Sequence, residues 1–270
     1  MRLVNLGCGA RYHGDWINID LHQTGPGVIA HDLAEGLPLD DDSCDAVYSS
    51  AMLEHFRRSD TPRFLGECYR VLRPGGIVRI AVPDLEAICR LYLSKLNDAV
   101  RGVPGASDDY DWMMLELYDQ VARENSGGHM LAYFRQPVIP NAEFVYSRVG
   151  EIMHEVRDVP TQDAGSVSRV RRTLFQRAMN RARWLLHSRR RREPQQEIGA
   201  FRLSGEVHHW MYDRYSLARL LLQAGFSKPR RCSPLESDIP EWERYQLDAM
   251  PDGTPVKPDC FYMEARKPGA

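Results

Sequence analysis

The stretch "VNLGCGARYHGDWINID" (Val4–Asp20) constrains this chain more than any other. Two apolar runs, "RLVNL" (Arg2–Leu6) and "WINID" (Trp16–Asp20), flank a loop with glycines at positions 7 and 9. Strand-forming residues bounded by glycine make both runs β-strands. Asp20 follows Gly9 by 11 residues, too soon for a full helix between the strands. Three more apolar runs follow: "GVIAH" (Gly27–His31), "DAVYSS" (Asp45–Ser50) and "GIVRIAV" (Gly76–Val82). Between the last two, "TPRFLGECYRVL" (Thr61–Leu72) repeats its apolar residues at helical spacing and stops at Pro74-Gly75-Gly76. This alternation predicts a parallel sheet covered by helices, with ligands outside the carboxyl ends of the strands. Those ends are Gly7–Gly9, Asp20, Asp32, Ser49–Ser50 and Pro83–Asp84.

The pattern changes at about residue 95. Helical segments such as "WMMLELYDQVA" and "FVYSRVGEIMHEVRDV" then alternate with Gly/Pro breaks. Strand and helix signals return with "DRYSLARLLLQAGF" (Asp213–Phe226) and "CFYMEARK" (Cys260–Lys267). The expected fold is an α/β, Rossmann-like sheet with helices on both faces and a helical cap insertion. Its parts are a cofactor-binding core at 1–94, the cap at 95–205 and a return to the core at 206–270.

The six cysteines are scattered without a C-x-x-C pair, which fits reduced thiols better than zinc or disulfides. With Met1 leading at once into an apolar strand and no long apolar run, the expectation is a soluble cytoplasmic chain.

Glycines at 7 and 9 let a ligand approach the backbone, and loop amides offer donors to an anionic group. An acid ending the next strand suits a ribose, whose vicinal hydroxyls both donate to one carboxylate. A tight turn with a solvated Asp is the plainer reading of the same residues. A dinucleotide fingerprint would place its third glycine at position 12 and its acid about 20 residues on. Here position 12 is Tyr and the next glycine is Gly14, and the sequence contains no G-K-[ST]. A ligand with a ribose but no phosphate fits better.

At these residues the chain resembles the class I S-adenosylmethionine (AdoMet)-dependent methyltransferases. Within them it looks closest to the methyltransferase-11-like group associated with glycan and secondary-metabolite pathways. The matching stretches are "VNLGCG", "GDWINID", "HDLAEGLPLDDDSCDAVYSSAMLEHF", "ECYRVLRPGGIVRIAVPDLE" and "HHWMYDRYSLARLLLQAGF". The resemblance implies AdoMet as cofactor. Gly7 and Gly9 would pass under its methionine part, and Asp20 would take the ribose hydroxyls. Asp32 and Leu33 would border the adenine, Ser49 and Ser50 would lie near the methyl, and Leu6 and Leu21 would complete the contacts. Asp32 also reads as a helix or turn cap.

Methyl transfer is an in-line displacement, so alignment carries much of it, and a hydroxyl acceptor also needs its proton removed. Candidate catalytic residues are therefore His55 in "LEHF", His129 in "SGGHMLAYF" and His208 in "GEVHHWMYD". Each has a structural alternative as a packed or hydrogen-bonded histidine. Asp84 in "VPDLE" reads first as a helix N-cap. Asp84, His129 and His208 are ligand types, but no spacing fixes a metal site, so none is expected.

Net charge is −2, yet ten arginines crowd Ser168–Glu193. They read first as a solvated helix face. Their functional readings are an anionic or lipid-linked acceptor and peripheral membrane contact; with no RNA-binding fold around them, nucleic acid is not expected. The expected function is methylation of a small polar acceptor, with O-methylation of a sugar or glycan favoured. The rivals are an NAD-dependent oxidoreductase and a non-catalytic methyltransferase-like protein that binds an anionic partner.

Overall fold

The structure is a computed structural model and describes residues 1–153 and 194–269. The arginine-rich stretch 169–192 lies outside the described residues. Seven strands form one sheet: β1 (Leu3–Leu6), β2 (Trp16–Asp20), β3 (Val28–Ala30), β4 (Cys44–Ser50), β5 (Leu72–Pro83), β6 (Ser227–Cys232) and β7 (Cys260–Arg266). Their spatial order is β3-β2-β1-β4-β5-β7-β6. β1 to β5 are parallel, and β7 runs antiparallel to both of its neighbours. The Rossmann-like α/β class expected from the sequence is the observed one. The order reverses at β1, which pairs with β2 on one side and β4 on the other. Ligand crevices of open α/β sheets lie at such a switch point.

All four residues of β1 are buried, as a central strand covered on both faces requires. On one face Val4, Leu6, Val47 and Val78 pack against α1 (Thr61–Val71) through Phe64, Leu65 and Cys68. The same cluster takes in Leu217 and Leu221 of a later helix, Arg214–Gln223. On the other face Leu3, Trp16, Ala46, Tyr48 and Ile77 pack against Ile239, Trp242, Tyr245 and Leu247. Among the described residues, that second layer includes a one-turn helix, Trp242–Tyr245.

After β5 come four helices, α2 (Leu85–Val100), α3 (Ala106–Ala122), α4 (Gly128–Phe134) and α5 (Ala142–Val149). They build a core of their own from Ile88, Trp112, Met113, Met130, Phe134, Val145 and Val149. A buried charge holds it: Arg148 donates from Nε and Nη2 to Glu116, which also accepts from Trp112 Nε1 at 2.6 Å. Past the undescribed stretch come α6 (Pro194–Arg202), α7 (Arg214–Gln223) and α8 (Trp242–Tyr245). Asp213 and Ser216 form a reciprocal capping box that starts α7. No helix among the described residues is long and apolar enough to cross a membrane.

The loop that leads into β4 is clamped to α1 through Glu67 and Arg70, which pair with each other on the helix, while Arg70 also pairs with Asp41 of the loop. Glu67 accepts from Leu37 N at 2.9 Å and from Arg70 Nε and Nη2, while Arg70 also donates to the carbonyls of Leu37 and Leu39. The Arg70 hydrogen bonds lower the Glu67 pKa from 4.5 to about 2. A carboxylate depressed by folding adds stability above its unfolded pKa, and that stability is lost as pH falls through the folded value. Glu67→Gln is therefore expected to cost about 1–2 kcal/mol at neutral pH, after allowance for partial exposure. The gap to wild type should narrow below about pH 4.5 and close near pH 2 in urea titrations. A gap independent of pH would remove this assignment.

Candidate functional site

The carboxyl ends of β1, β2, β3 and β4 meet at one edge. Gly7 (φ +67°) and Gly9 (φ +54°) turn the chain out of β1 in the left-handed region that favours glycine. A Cβ on Gly7 would lie 2.5 Å from Met52 Cγ, so Met52 packs directly on the loop. A Cβ on Gly9 would meet no atom within 4 Å, so that side of the loop is open.

Gly7→Ala is expected to cost about 1–2 kcal/mol from the left-handed backbone alone, and more from the Met52 contact. Gly9→Ala should cost only the backbone part, because its Cβ meets nothing. Equal losses in urea denaturation would contradict this contrast.

One feature of the loop differs from the sequence expectation. Its amides are not presented to a ligand: Gly7 N donates to Ile19 O at 2.8 Å and Gly9 N to Asp20 Oδ2 at 2.9 Å. Cys8 N also points to Ile19 O, at 3.4 Å. β2 ends so soon after the loop that its last residues absorb these donors. A phosphate-binding loop needs the same amides free.

Asp20 is half-buried, and its Oδ1 accepts from His22 N at 3.2 Å. A carboxylate has about four acceptor positions, so two backbone bonds leave room for hydroxyl donors. Leu21 beside it is 48% exposed, an apolar side chain at the same edge. Asp32 is exposed and caps the short 3-10 helix Leu33–Glu35 by accepting from Ala34 N at 2.9 Å. The cap reading of Asp32 is thus realised, with its second oxygen left over. Leu33 is half-buried against the core. Ser49 pairs in register with Leu6, and its hydroxyl is buried with no hydrogen-bond partner among the described residues. Such an orphan costs about 1–3 kcal/mol unless a ligand satisfies it. Ser50, next to it, accepts from Lys257 Nζ at 3.2 Å. An open glycine face, two acids near strand ends, an exposed leucine and an orphan hydroxyl are compatible with a nucleoside that has a flat aromatic base and free ribose hydroxyls.

Two of the three candidate histidines come together. The rings of His55 and His208 stand edge to face with centroids 4.7 Å apart. Glu54, which the sequence reading did not single out, joins them, and donor atoms of all three lie within 4.8 Å of one another. Its only signal was its place beside His55 in "LEHF". Met52 starts the short 3-10 helix Leu53–His55, so the segment that covers Gly7 also carries Glu54 and His55. His208 is brought in by backbone bonds: Glu54 O accepts from His209 N at 2.7 Å, and His208 N donates to Gln120 O of α3 at 3.0 Å.

Burial governs the ionisation of this group. It raises Glu54 from 4.5 to about 7 and lowers His55 from 6.5 to about 4. It also lowers His208 well below its ordinary value, with His55 and Arg123 adding to the effect. Both imidazoles are therefore neutral near pH 7, the form that accepts a proton or binds a metal.

His129 does not join the cluster. Its side chain is exposed at the start of α4, and its backbone N donates to the buried Asp119 of α3 at 2.6 Å. Asp84 caps α2 through Ala87 N and pairs with Arg231 at 2.7 Å, which engages both carboxylate oxygens.

Part of the chain is similar to known methyltransferases. Residues 15–80 match a sequence family described as "Methyltransferase domain". A probable S-adenosylmethionine-dependent methyltransferase of Mycolicibacterium smegmatis is 41% identical over 56 residues, which cover 21% of this chain and 21% of that protein. Among solved structures, a SAM-dependent methyltransferase from Archaeoglobus fulgidus aligns over 98% of this chain and 86% of its own at 13% identity, with a TM-score of 0.40. One from Mesorhizobium loti aligns over 98% and 90% at 16% identity, with a TM-score of 0.37. The stretch from β2 into β5 is thus similar to a methyltransferase domain, and it spans the strand ends that carry Asp20, Asp32, Ser49 and the Glu54–His55 pair.

Proposed function

We propose that this protein is an AdoMet-dependent methyltransferase acting on a small polar acceptor, with a sugar or glycan hydroxyl favoured. The observation that carries it is the glycine loop whose amides are internally bonded, set between Asp20 and the Glu54–His55–His208 group. When bound, AdoMet supplies a methyl group on a sulfonium, a strong electrophile.

The chain's own residues do the rest. Gly9 leaves its open side to the cofactor, Asp20 accepts from the ribose hydroxyls and the free oxygen of Asp32 accepts from the adenine amine. Leu6, Leu21 and Leu33 supply apolar contact, and Ser49 gains a partner for its hydroxyl. A hydroxyl acceptor must have its proton taken up or its oxygen polarised. Glu54, His55 and His208 are ionisable, half-buried to buried, and next to the loop, which supports a hydroxyl over an amine. Of the expected cap at 95–205, the described residues 95–153 and 194–205 act as a cap in this reading, supported by the bond from His208 N to Gln120 O. The arginines between 169 and 192 favour an anionic or lipid-linked acceptor on composition alone. A dinucleotide oxidoreductase is disfavoured, because Gly7 and Gly9 have no amide to give a pyrophosphate.

The test is transfer of labelled methyl from AdoMet to a panel of sugars, phenols, amines and carboxylates. Labelled methyl ethers on sugar hydroxyls support the reading. Transfer to amines alone would overturn the hydroxyl acceptor, and absence of all transfer with AdoMet bound would favour the non-catalytic rival.

A further inference from the structure

We propose that Glu54, His55 and His208 bind a divalent transition-metal ion of the Zn²⁺ or Co²⁺ kind beside the glycine loop. Three independent observations converge on this. The first is the donor set itself: one carboxylate and two imidazoles, with one donor atom from each within 4.8 Å of the others. Ligands about 2.1 Å from a tetrahedral ion lie about 3.4 Å apart, so modest side-chain adjustment completes the site.

The second is the state of Glu54. Its side chain is fully buried, and neither carboxylate oxygen has a hydrogen-bond partner among the described residues. Buried carboxylates persist when paired, hydrogen-bonded or bound to metal. Among the described residues, neither an ion pair nor a hydrogen bond reaches this carboxylate.

The third is the support behind the donors. His55 Nδ1 lies 3.3 Å from Val207 O, which makes Nδ1 the protonated nitrogen and leaves the Nε2 lone pair free. A carbonyl behind an imidazole is the usual outer partner of a metal-binding histidine. His208 is clamped on the backbone from both sides, through Gln120 O on its own amide and Glu54 O on the amides of His209 and Trp210. Glu54 thus presents its side chain to the cluster while its carbonyl holds the segment that carries the third donor.

Two imidazoles favour a borderline transition metal over Mg²⁺ or Ca²⁺, which prefer all-oxygen sets. The cations that face the cluster are engaged elsewhere. Arg123 pairs with Asp119 and Glu206, and Lys257 donates to Ser50. Three protein donors leave at least one coordination position open, as in catalytic rather than structural zinc sites. On the methyl-transfer reading above, that position takes the acceptor oxygen and polarises it. Metal binding itself does not depend on that reading.

The experiment is titration of the chelator-stripped 270-residue chain with Co²⁺, followed by visible absorption, and with Zn²⁺, followed by calorimetry. One equivalent per chain is expected in wild type. Glu54→Gln and His208→Ala should each weaken it by at least about 100-fold, with His13→Ala unchanged as the control. Glu54→Gln keeps the shape and removes the charge, so a native circular dichroism spectrum with lost binding assigns the effect to ligation. Wild type without saturable Co²⁺ or Zn²⁺ binding, or Glu54→Gln binding as wild type does, would overturn the site. AdoMet affinity is measured on the same samples: its absence with Co²⁺ bound rejects the methyltransferase reading alone, and the converse rejects the metal site alone.

Discussion

Arg79→Leu is expected to remove about 3–5 kcal/mol of stability, a large part of what a domain of this size has. Arg79 sits in the middle of β5, fully buried, and is the hub that joins the sheet to its second layer. Its Nε donates to Asp248 at 2.8 Å and its Nη1 to Glu264 at 2.8 Å. Its remaining donors reach the carbonyls of Glu236 and Ser233, and the Trp242 ring lies 4.5 Å from its guanidinium carbon. Asp248 also accepts from Tyr48 at 2.5 Å, while Glu264 also accepts from Arg230. Without Arg79, Asp248 becomes a buried carboxylate with one neutral partner, and Glu264 keeps a partly exposed cation, Arg230, with two neutral donors, Ser237 Oγ and Asp238 N. Truncating one member of a buried ion pair costs more than the pair is worth, because the remaining charge is desolvated and unpaired. Arg79→Lys should rescue little, since one ammonium cannot reproduce a planar fork aimed at two acids and two carbonyls. Urea denaturation followed by tryptophan fluorescence reads the effect through Trp242 and Trp16. A loss under 1 kcal/mol would show that the second layer is held by its apolar contacts alone.

Asp20→Ala is expected to weaken AdoMet binding by about 30- to 150-fold, corresponding to about 2–3 kcal/mol for charge-assisted bonds to the ribose hydroxyls. Asp20 has a second task, because its Oδ2 fastens Gly9 N and so sets the loop's path. Asp20→Asn separates the two. One amide oxygen can still hold Gly9 N, while charge and one acceptor are lost, so its affinity should fall between wild type and Asp20→Ala. Calorimetric titration of the three proteins gives the order directly. Identical affinities for wild type and Asp20→Ala would place the ribose elsewhere.

The elements that sequence periodicity exposes are those whose residues answer to one environment. β1, β2 and β4 are short strands whose apolar residues feed the core layers on the two faces of the sheet, and α1 carries one apolar stripe. β6 escaped because "SKPRRC" has no alternation and contains a proline. It lies at the sheet edge, paired with β7 alone and with a register shift at Lys228, whose φ is +53°. An edge tolerates both features. β5 runs from Leu72, four residues earlier than its apolar core at Gly76.

The placement of Asp20, Asp32 and Ser49 at one edge was legible because strand ends are readable and parallel strands bring them together. What the loop amides do was not legible, since Ile19 O and Asp20 Oδ2 reach them only through the β1–β2 pairing. Glu54 was hidden for a similar reason. Its burial and its meeting with His208, 154 positions later in the sequence, are products of tertiary structure. Arg79 stood in plain sight inside "GIVRIAV", but its acids come from Asp248 and Glu264, far along the chain.

The central claim is that the edge formed by Gly7, Gly9, Asp20 and Asp32 binds AdoMet. Its most direct test is equilibrium titration of the wild-type chain with AdoMet and, separately, with NADH. Saturable binding of one AdoMet per chain, displaced by S-adenosylhomocysteine and indifferent to excess NADH, is the predicted result. Saturable NADH binding that AdoMet does not displace would contradict it.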